Sequence, residues 1–178
     1  AGVAIFERLR KRGIEVVVLT NSLASNDVLL VHLGYSRYRT NLVRAGIELY
    51  ELDGAGSHRD AWDMLPGMSQ GRLHAKAAVL DGATVYIGSM NLDPRSENTN
   101  TELGMVAQCA ELARDVTRVI DVTRRRGAWR LRLGPDDTLQ WVTNGEGADT
   151  VLTTEPDTNP LLDLRNMLLQ PFIPERLL

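Results

Sequence analysis

Cysteine is nearly missing from this sequence: Cys109 stands alone among 178 residues. One thiol excludes an internal disulfide and any cysteine-built metal centre, and it suits a reducing compartment. Cys109 itself reads as a small core residue. Long apolar runs are missing too. No stretch approaches the roughly 18 residues that a membrane-crossing helix needs. The opening segment, residues 1–9, carries no signal-peptide pattern. Internal repeats and low-complexity tracts are also absent. Lysine is scarce: of 20 basic residues only Lys11 and Lys76 are lysine, the rest being arginine. Arginine and lysine differ in shape, hydration and hydrogen-bond geometry, so a lysine kept at position 76 points to a need for a compact ammonium there. A net charge of −3 and a pI near 5.6 argue against a large nucleic-acid surface.

What is present is ordinary for a soluble globular chain: 43% apolar and 24% charged residues. The length suffices for one domain with a real core. The chain opens at Ala1 without an initiator Met, so we expect a piece of a longer protein. Val3, Phe6 and Leu9 recur at helical spacing up to Gly13. Residues 14–19 form a β-branched apolar run that opens into Thr20-Asn21-Ser22, a buried strand meeting a polar turn. Tyr38, Leu42 and Val43 suggest a helix closed by Gly46, and residues 47–52 a second buried strand. Residues 53–72 are Gly-rich and polar around Trp62, Met64, Leu65 and Met68; we expect a long loop packed on its own domain.

Residues 73–80 and 84–88 read as strands flanking Asp81-Gly82, a two-residue hairpin signal. Residues 91–100 read as a polar loop and 102–107 as a further strand. Leu112, Val116, Val119 and Ile120 mark an amphipathic helix. It ends in Arg124, Arg125 and Arg126 with Gly127 as cap, a favourable match to the helix dipole. From Trp129 the pattern alternates over 129–133, 138–143 and 150–154, with Asn144-Gly145 between the last two, as in an antiparallel meander. The tail, 161–178, holds a short apolar helix expected to pack on the body. The expected architecture is an α/β/α sandwich half-domain with a mixed sheet over residues 1–127. A small antiparallel extension and helix over 128–178 pack on it.

The chemistry concentrates in residues 73–102, LHAKAAVLDGATVYIGSMNLDPRSENTNTE. His74 and Lys76 are two apart on an expected strand, so both side chains point to one face. Imidazole beside ammonium is an unusual pair unless an anion lies between them, and a phosphate is the natural candidate. Ser89 and Asn91, again two apart, offer a hydroxyl and an amide to phosphate oxygens. Glu102 could accept from the second imidazole nitrogen and so fix its tautomer. No cysteine or histidine cluster has metal-ligand spacing, so protein cations rather than a divalent ion are expected to organise the site, with no cofactor.

His74-x-Lys76-x4-Asp81 followed by Gly88-Ser89-x-Asn91 resembles the HKD motif of the phospholipase D superfamily. Ser89, Asn91 and Glu102 stand 15, 17 and 28 residues after His74, where that family places them. Thr20-Asn21-Ser22-Leu23, Val31-His32-x-Gly34-Tyr35-x-x-Tyr38-Arg39, Gly46-Ile47-Glu48-Leu49-Tyr50-Glu51, the run Gly88 to Ser96 and Ile173-Pro174-Glu175 resemble its bacterial cardiolipin synthase-like branch, in the C-type form. The resemblance implies a phosphodiester-transfer enzyme with two HKD motifs across a pseudo-twofold axis. One histidine becomes a phosphohistidine, and the other serves as general acid and base, the role assigned here to His74. Asp81 is expected at the hairpin turn, pairing with a nearby cation. Asn21, His32, Tyr35 and Arg95 are candidate substrate-binding residues.

This chain departs from the family by holding one HKD motif, since neither His32 nor His58 has a lysine two residues on. The partner is then a second HKD half, from the first half of a longer protein or from another copy, and the isolated chain is expected to be inactive. The implied substrates are phospholipids, phosphatidylglycerol first and phosphatidylethanolamine as a candidate second. Contact with the inner membrane would be peripheral, from the cytoplasm. Nucleic acid is disfavoured as a partner. The competing readings are a phospholipase D or nuclease-type phosphodiesterase, and a non-catalytic lipid-binding half-domain.

Overall fold

The computed structural model describes residues 2–26, 29–54, 73–143, 150–156 and 158. The expected loop around Trp62, Met64, Leu65 and Met68, the Asn144-Gly145 turn and the 161–178 tail lie outside the described residues. Chain order is α1 (Gly2–Lys11), β1 (Val17–Asn21), α2 (Leu29–Ser36), α3 (Arg39–Arg44), β2 (Glu48–Leu52), β3 (Lys76–Leu80) and β4 (Thr84–Gly88). There follow α4 (Pro94–Asn98), β5 (Gly104–Gln108), α5 (Ala110–Arg126), β6 (Ala128–Leu133), β7 (Leu139–Thr143) and β8 (Val151–Leu152).

Two helix-to-strand junctions use the same device. After α1, Gly13 N–H donates to Arg10 O at 2.9 Å and Ile14 N–H to Leu9 O at 3.1 Å. After α3, Gly46 N–H donates to Val43 O and Ile47 N–H to Leu42 O, at 2.9 and 3.1 Å. Both glycines are left-handed, φ +77° and +83°, the geometry that closes a helix and reverses the chain without a Cβ penalty. The first junction also explains why β1 starts at Val17 and not at residue 14: Ile14 is committed to the helix end.

The strands form two sheets. One is five-stranded and mixed, in the order β1-β2-β6-β7-β8, with β1 and β2 parallel and the other pairs antiparallel. The other is the antiparallel sheet β3-β4-β5. The meander expected from residue 129 onward thus continues the sheet of β1 and β2, because β6 pairs directly with β2. Leu42, Ile47, Leu49, Trp129, Leu131 and Trp141 make the main core, with Val3, Phe6 and Tyr38 packed against it. Leu49 is fully enclosed; burying such a side chain is worth about 1.5–3 kcal/mol. Helix α5 packs against strands of both sheets and holds them together.

Four local expectations change. Residues 29–36 are helical although no helix was read there. The polar stretch 91–100 contains α4, for which Asp93 is the N-cap, its Oδ1 accepting from Ser96 N–H at 2.8 Å, with Pro94 in the first turn. The β3–β4 loop has three residues: Leu80 pairs with Thr84, while Ala83 N–H closes on Leu80 O at 3.1 Å. Asp81 and Gly82 are both left-handed as a tight hairpin requires, and Ala83 adds a position whose carbonyl accepts from Cys109 N–H at 2.9 Å. Cys109 is exposed at the start of α5, not in the core. Among the described residues no helix is long and apolar enough to cross a membrane.

Candidate active site

His74 lies just before β3, and Lys76 is the strand's first residue. Alternation brings both to one face, and the ammonium turns back on the histidine. Lys76 Nζ donates to His74 O at 3.0 Å and stands 3.4 Å from Nδ1 and 3.2 Å from Nε2. Near-equal distances to both ring nitrogens put the ammonium over the ring face. The in-plane direction at each nitrogen therefore stays open. Imidazole is exposed, so a nitrogen can meet an incoming phosphorus or proton without rearrangement.

The pairing register places Lys76 opposite Gly88, and Gly88 opposite Gly104. Two glycines in one row leave a trough beside the lysine, and the Tyr86 ring lies along it. A Cβ on either glycine would collide with that ring. Sequence reading missed Tyr86; the signal was available in the hairpin register, which puts residue 86 on the face of residue 76.

Beyond β4, Ser89 Oγ donates to Glu102 Oε2 and accepts from Leu103 N–H at 3.0 Å. Asn100 Nδ2 donates to Glu102 Oε1 at 3.3 Å. Asn91 N–H donates to Ser96 Oγ at 3.1 Å, and Ser96 in turn bonds Glu102. The Glu102 carboxyl is held below its ordinary range, first by the Ser89 hydrogen bond and then by that from Ser96; slight burial opposes this, and Asn100 and the Lys76 charge add to it. Glu102 therefore reaches the His74–Lys76 pair through the field of Lys76, not through the imidazole bond expected of it. Ser89 in this state gives its proton to Glu102.

Asp81 sits at the exposed loop tip, and no cation among the described residues forms the ion pair expected of it. Arg95 lies on α4, where its carbonyl accepts from Thr99 and Asn100 N–H at 2.9 and 2.8 Å and closes the helix. Asn21 turns both amide atoms on the backbone of Leu73.

His32 and Tyr35 belong elsewhere. His32 is buried, with Nε2 2.7 Å from Glu155 Oε1. A ring nitrogen that close to a carboxylate carries its hydrogen, and the buried Nδ1 has no partner among the described residues. Arg39 lies between two carboxylates, bonding Glu51 at 2.6 Å through Nε and at 3.1 Å, and Glu155 at 3.0 and 2.5 Å. Its guanidinium also sits over the rings of Tyr35 and Trp141, at 5.3 and 5.4 Å. Tyr35 and Trp141 complete Glu51 with bonds of 2.8 and 2.9 Å. Burial alone would raise the Glu155 carboxyl, but hydrogen bonds from His32 and Arg39 and their charges outweigh it and bring it down to about 2. Glu155 was not singled out from the sequence, and Arg39 only as part of a motif; a separation of 116 positions hides their pairing.

Comparison with known families places the chain. The family described as "Cardiolipin synthase, PLD-like domain" matches residues 2–123, and the chain belongs to this phospholipase D-like family. Cardiolipin synthase C of Escherichia coli K12 is 40% identical over 161 residues, 89% of this chain and 34% of that protein. Cardiolipin synthase A of Klebsiella pneumoniae subsp. pneumoniae is 30% identical over 111 residues, 62% of this chain and 19% of that protein. The chain thus spans about a third or less of the length of these relatives. Among solved structures, Nuc of Salmonella typhimurium, a phospholipase D family member, aligns with a TM-score of 0.49 and 20% identity over 73% of this chain and 72% of that one.

Proposed function

We propose that this chain is the second half-site of a phosphatidyltransferase that makes cardiolipin from phosphatidylglycerol and a second phospholipid, phosphatidylethanolamine being one candidate. The observation that carries the reading is the His74–Lys76 contact on an exposed strand end, in a chain with no second such pair. Lys11, the other lysine, follows Leu9 at that spacing. The missing pair comes from an upstream half of the same polypeptide. The third-length match to the Escherichia coli relative supports that source over a second copy. Leu80 and Val106, on the Lys76 face of the β3-β4-β5 sheet, and Ile87 and Met105, on its other face, are exposed, which supports a sheet with further protein to pack on it.

In this reading the partner histidine attacks phosphorus. A P–N bond forms as the P–O bond to the leaving alcohol breaks, and His74 gives its proton to the departing oxygen. The acceptor alcohol then returns a proton to His74 while its oxygen attacks phosphorus and the P–N bond breaks. Lys76 offsets charge on the non-bridging oxygens, and Asn91 adds a neutral donor. Glu102, with Ser89, holds the loop that carries Asn91 against the lysine, and Asp81 shapes the hairpin. The protein acts from the cytoplasmic side, peripherally, on inner-membrane lipid.

Vesicles of phosphatidylglycerol and phosphatidylethanolamine given to the full-length protein should yield cardiolipin by mass spectrometry. His74→Ala should lower the rate about 10²–10⁴-fold, and residues 1–178 alone should be inactive. Equal yields from wild type and His74→Ala would sink the assignment.

A further inference from the structure

We propose that Asn21 is a positioning residue for His74, acting on the backbone of Leu73 and not on substrate; this rests on the reading of His74 as a reacting group. Asn21 is the last residue of β1, the edge strand of the five-stranded sheet. The strand that follows His74 belongs to the other sheet, so no backbone ladder joins β1 to it. Asn21 supplies the join. Its Nδ2 donates to Leu73 O and its Oδ1 accepts from Leu73 N–H, both at 2.8 Å. A carboxamide presents a donor and an acceptor side by side as a peptide does, so one side chain here replaces one rung of a ladder.

Leu73 is held a second way. Its side chain packs against Tyr50, Leu52 and Ala128 in a small cluster at the end of β2. The residue before His74 is therefore anchored in one sheet, while Lys76, two residues after, starts the other. His74 sits on the short span between. Its ring placement is set by the Asn21 rung on one side and the β3–β4 pairing on the other. A misplacement of about 1 Å in a reacting group can cost on the order of 10²-fold in rate. Leu73 engages both amide atoms of Asn21, taking one of the two donors on Nδ2 and one of the two lone pairs on Oδ1.

The full-length protein is assayed for cardiolipin formation from phosphatidylglycerol–phosphatidylethanolamine vesicles, with thermal melting alongside to confirm folding. Asn21→Ala should lower kcat about 10²-fold and leave KM within about twofold. Asn21→Asp is the sharper variant. Its carboxylate accepts from Leu73 N–H but repels Leu73 O, whereas the protonated acid can donate to that oxygen. Its kcat relative to wild type should therefore recover toward acid pH, a signature that general destabilisation does not produce, while an unchanged KM separates it from a lost substrate contact. A rise in KM with kcat unchanged, full activity of Asn21→Ala, or an Asn21→Asp profile parallel to wild type overturns the proposal. His74→Ala in the same assay separates the two levels. If it is inactive while Asn21→Ala is unimpaired, only the positioning role fails; if it is fully active, the role of His74 fails first.

Discussion

Both histidines among the described residues touch a cation, and their surroundings are opposite. His32 meets Arg39 at 3.0 Å in the interior, with both residues buried and two carboxylates closing the group. His74 meets Lys76 at 3.2 Å on an exposed strand end, where no carboxylate among the described residues bonds either side chain directly. Burial requires that charges be paired, so the interior group uses arginine, whose planar fork serves Glu51 and Glu155 together while its faces stack on Tyr35 and Trp141. The exposed group uses lysine, a compact charge that leaves the imidazole edge open. The first arrangement ties α2, α3, β2, β7 and the segment after β8 into one body. The second leaves its groups available. The proposed chemistry therefore lies on the less buried sheet, with the buried sheet as its proposed anchor.

The comparison breaks most sharply at Arg39. Arg39→Met should cost about 3–5 kcal/mol, because Glu51 would remain buried and uncompensated; urea unfolding measures this, and a loss below about 1 kcal/mol would show that the network is not a structural unit. Acid should act on the same group. The Glu155 carboxyl lies near 2 in the folded protein against an ordinary 4.5, so the unfolded chain binds its proton first. Its contribution, on the order of 3 kcal/mol, is present above about pH 4.5 and lost as pH falls toward 2. Glu155→Gln should flatten stability against pH across that window.

A matched pair of substitutions sharpens the contrast between sheets. Val142 on β7 is 5% exposed and Val106 on β5 is 68% exposed. Val142→Thr should cost about 1–3 kcal/mol for a buried hydroxyl, and Val106→Thr less than about 0.5 kcal/mol. Equal costs would mean that the β3-β4-β5 face is already covered. The smallest effect concerns Glu102. Ser89→Ala removes the chief hydrogen bond that holds its carboxyl down, so the group should titrate closer to the ordinary carboxylate range in an NMR pH series, with stability unchanged.

Much of this was legible from residue order. Period-2 alternation and the Asp81-Gly82 signal located the hairpin, and motif spacing singled out His74, Lys76, Ser89, Asn91 and Glu102. Glycines at 13 and 46 marked the helix ends. Helix α2 was hidden because Val31 to Tyr35 drew attention as a motif and not for its periodicity. Asn21 looked like a ligand residue because a polar turn after a buried strand has that pattern; only the fold shows Leu73 lying against it. Glu155 gave no sign, since a lone glutamate after a strand has no local reason to pair with a residue far upstream.

Local patterning, then, determined the order of the strands and of helices α1, α3 and α5, the choice of the His74–Lys76 pair and the family to which the chain belongs. These depend on alternation and spacing over a few residues, which the backbone enforces wherever it lies. Tertiary structure decided which polar groups became permanent partners: His32 and Arg39 with Glu155, Asn21 with Leu73, Ser89 with Glu102. Each pairing joins segments that only folding brings within about 3 Å, and hydrogen bonds act at no greater range.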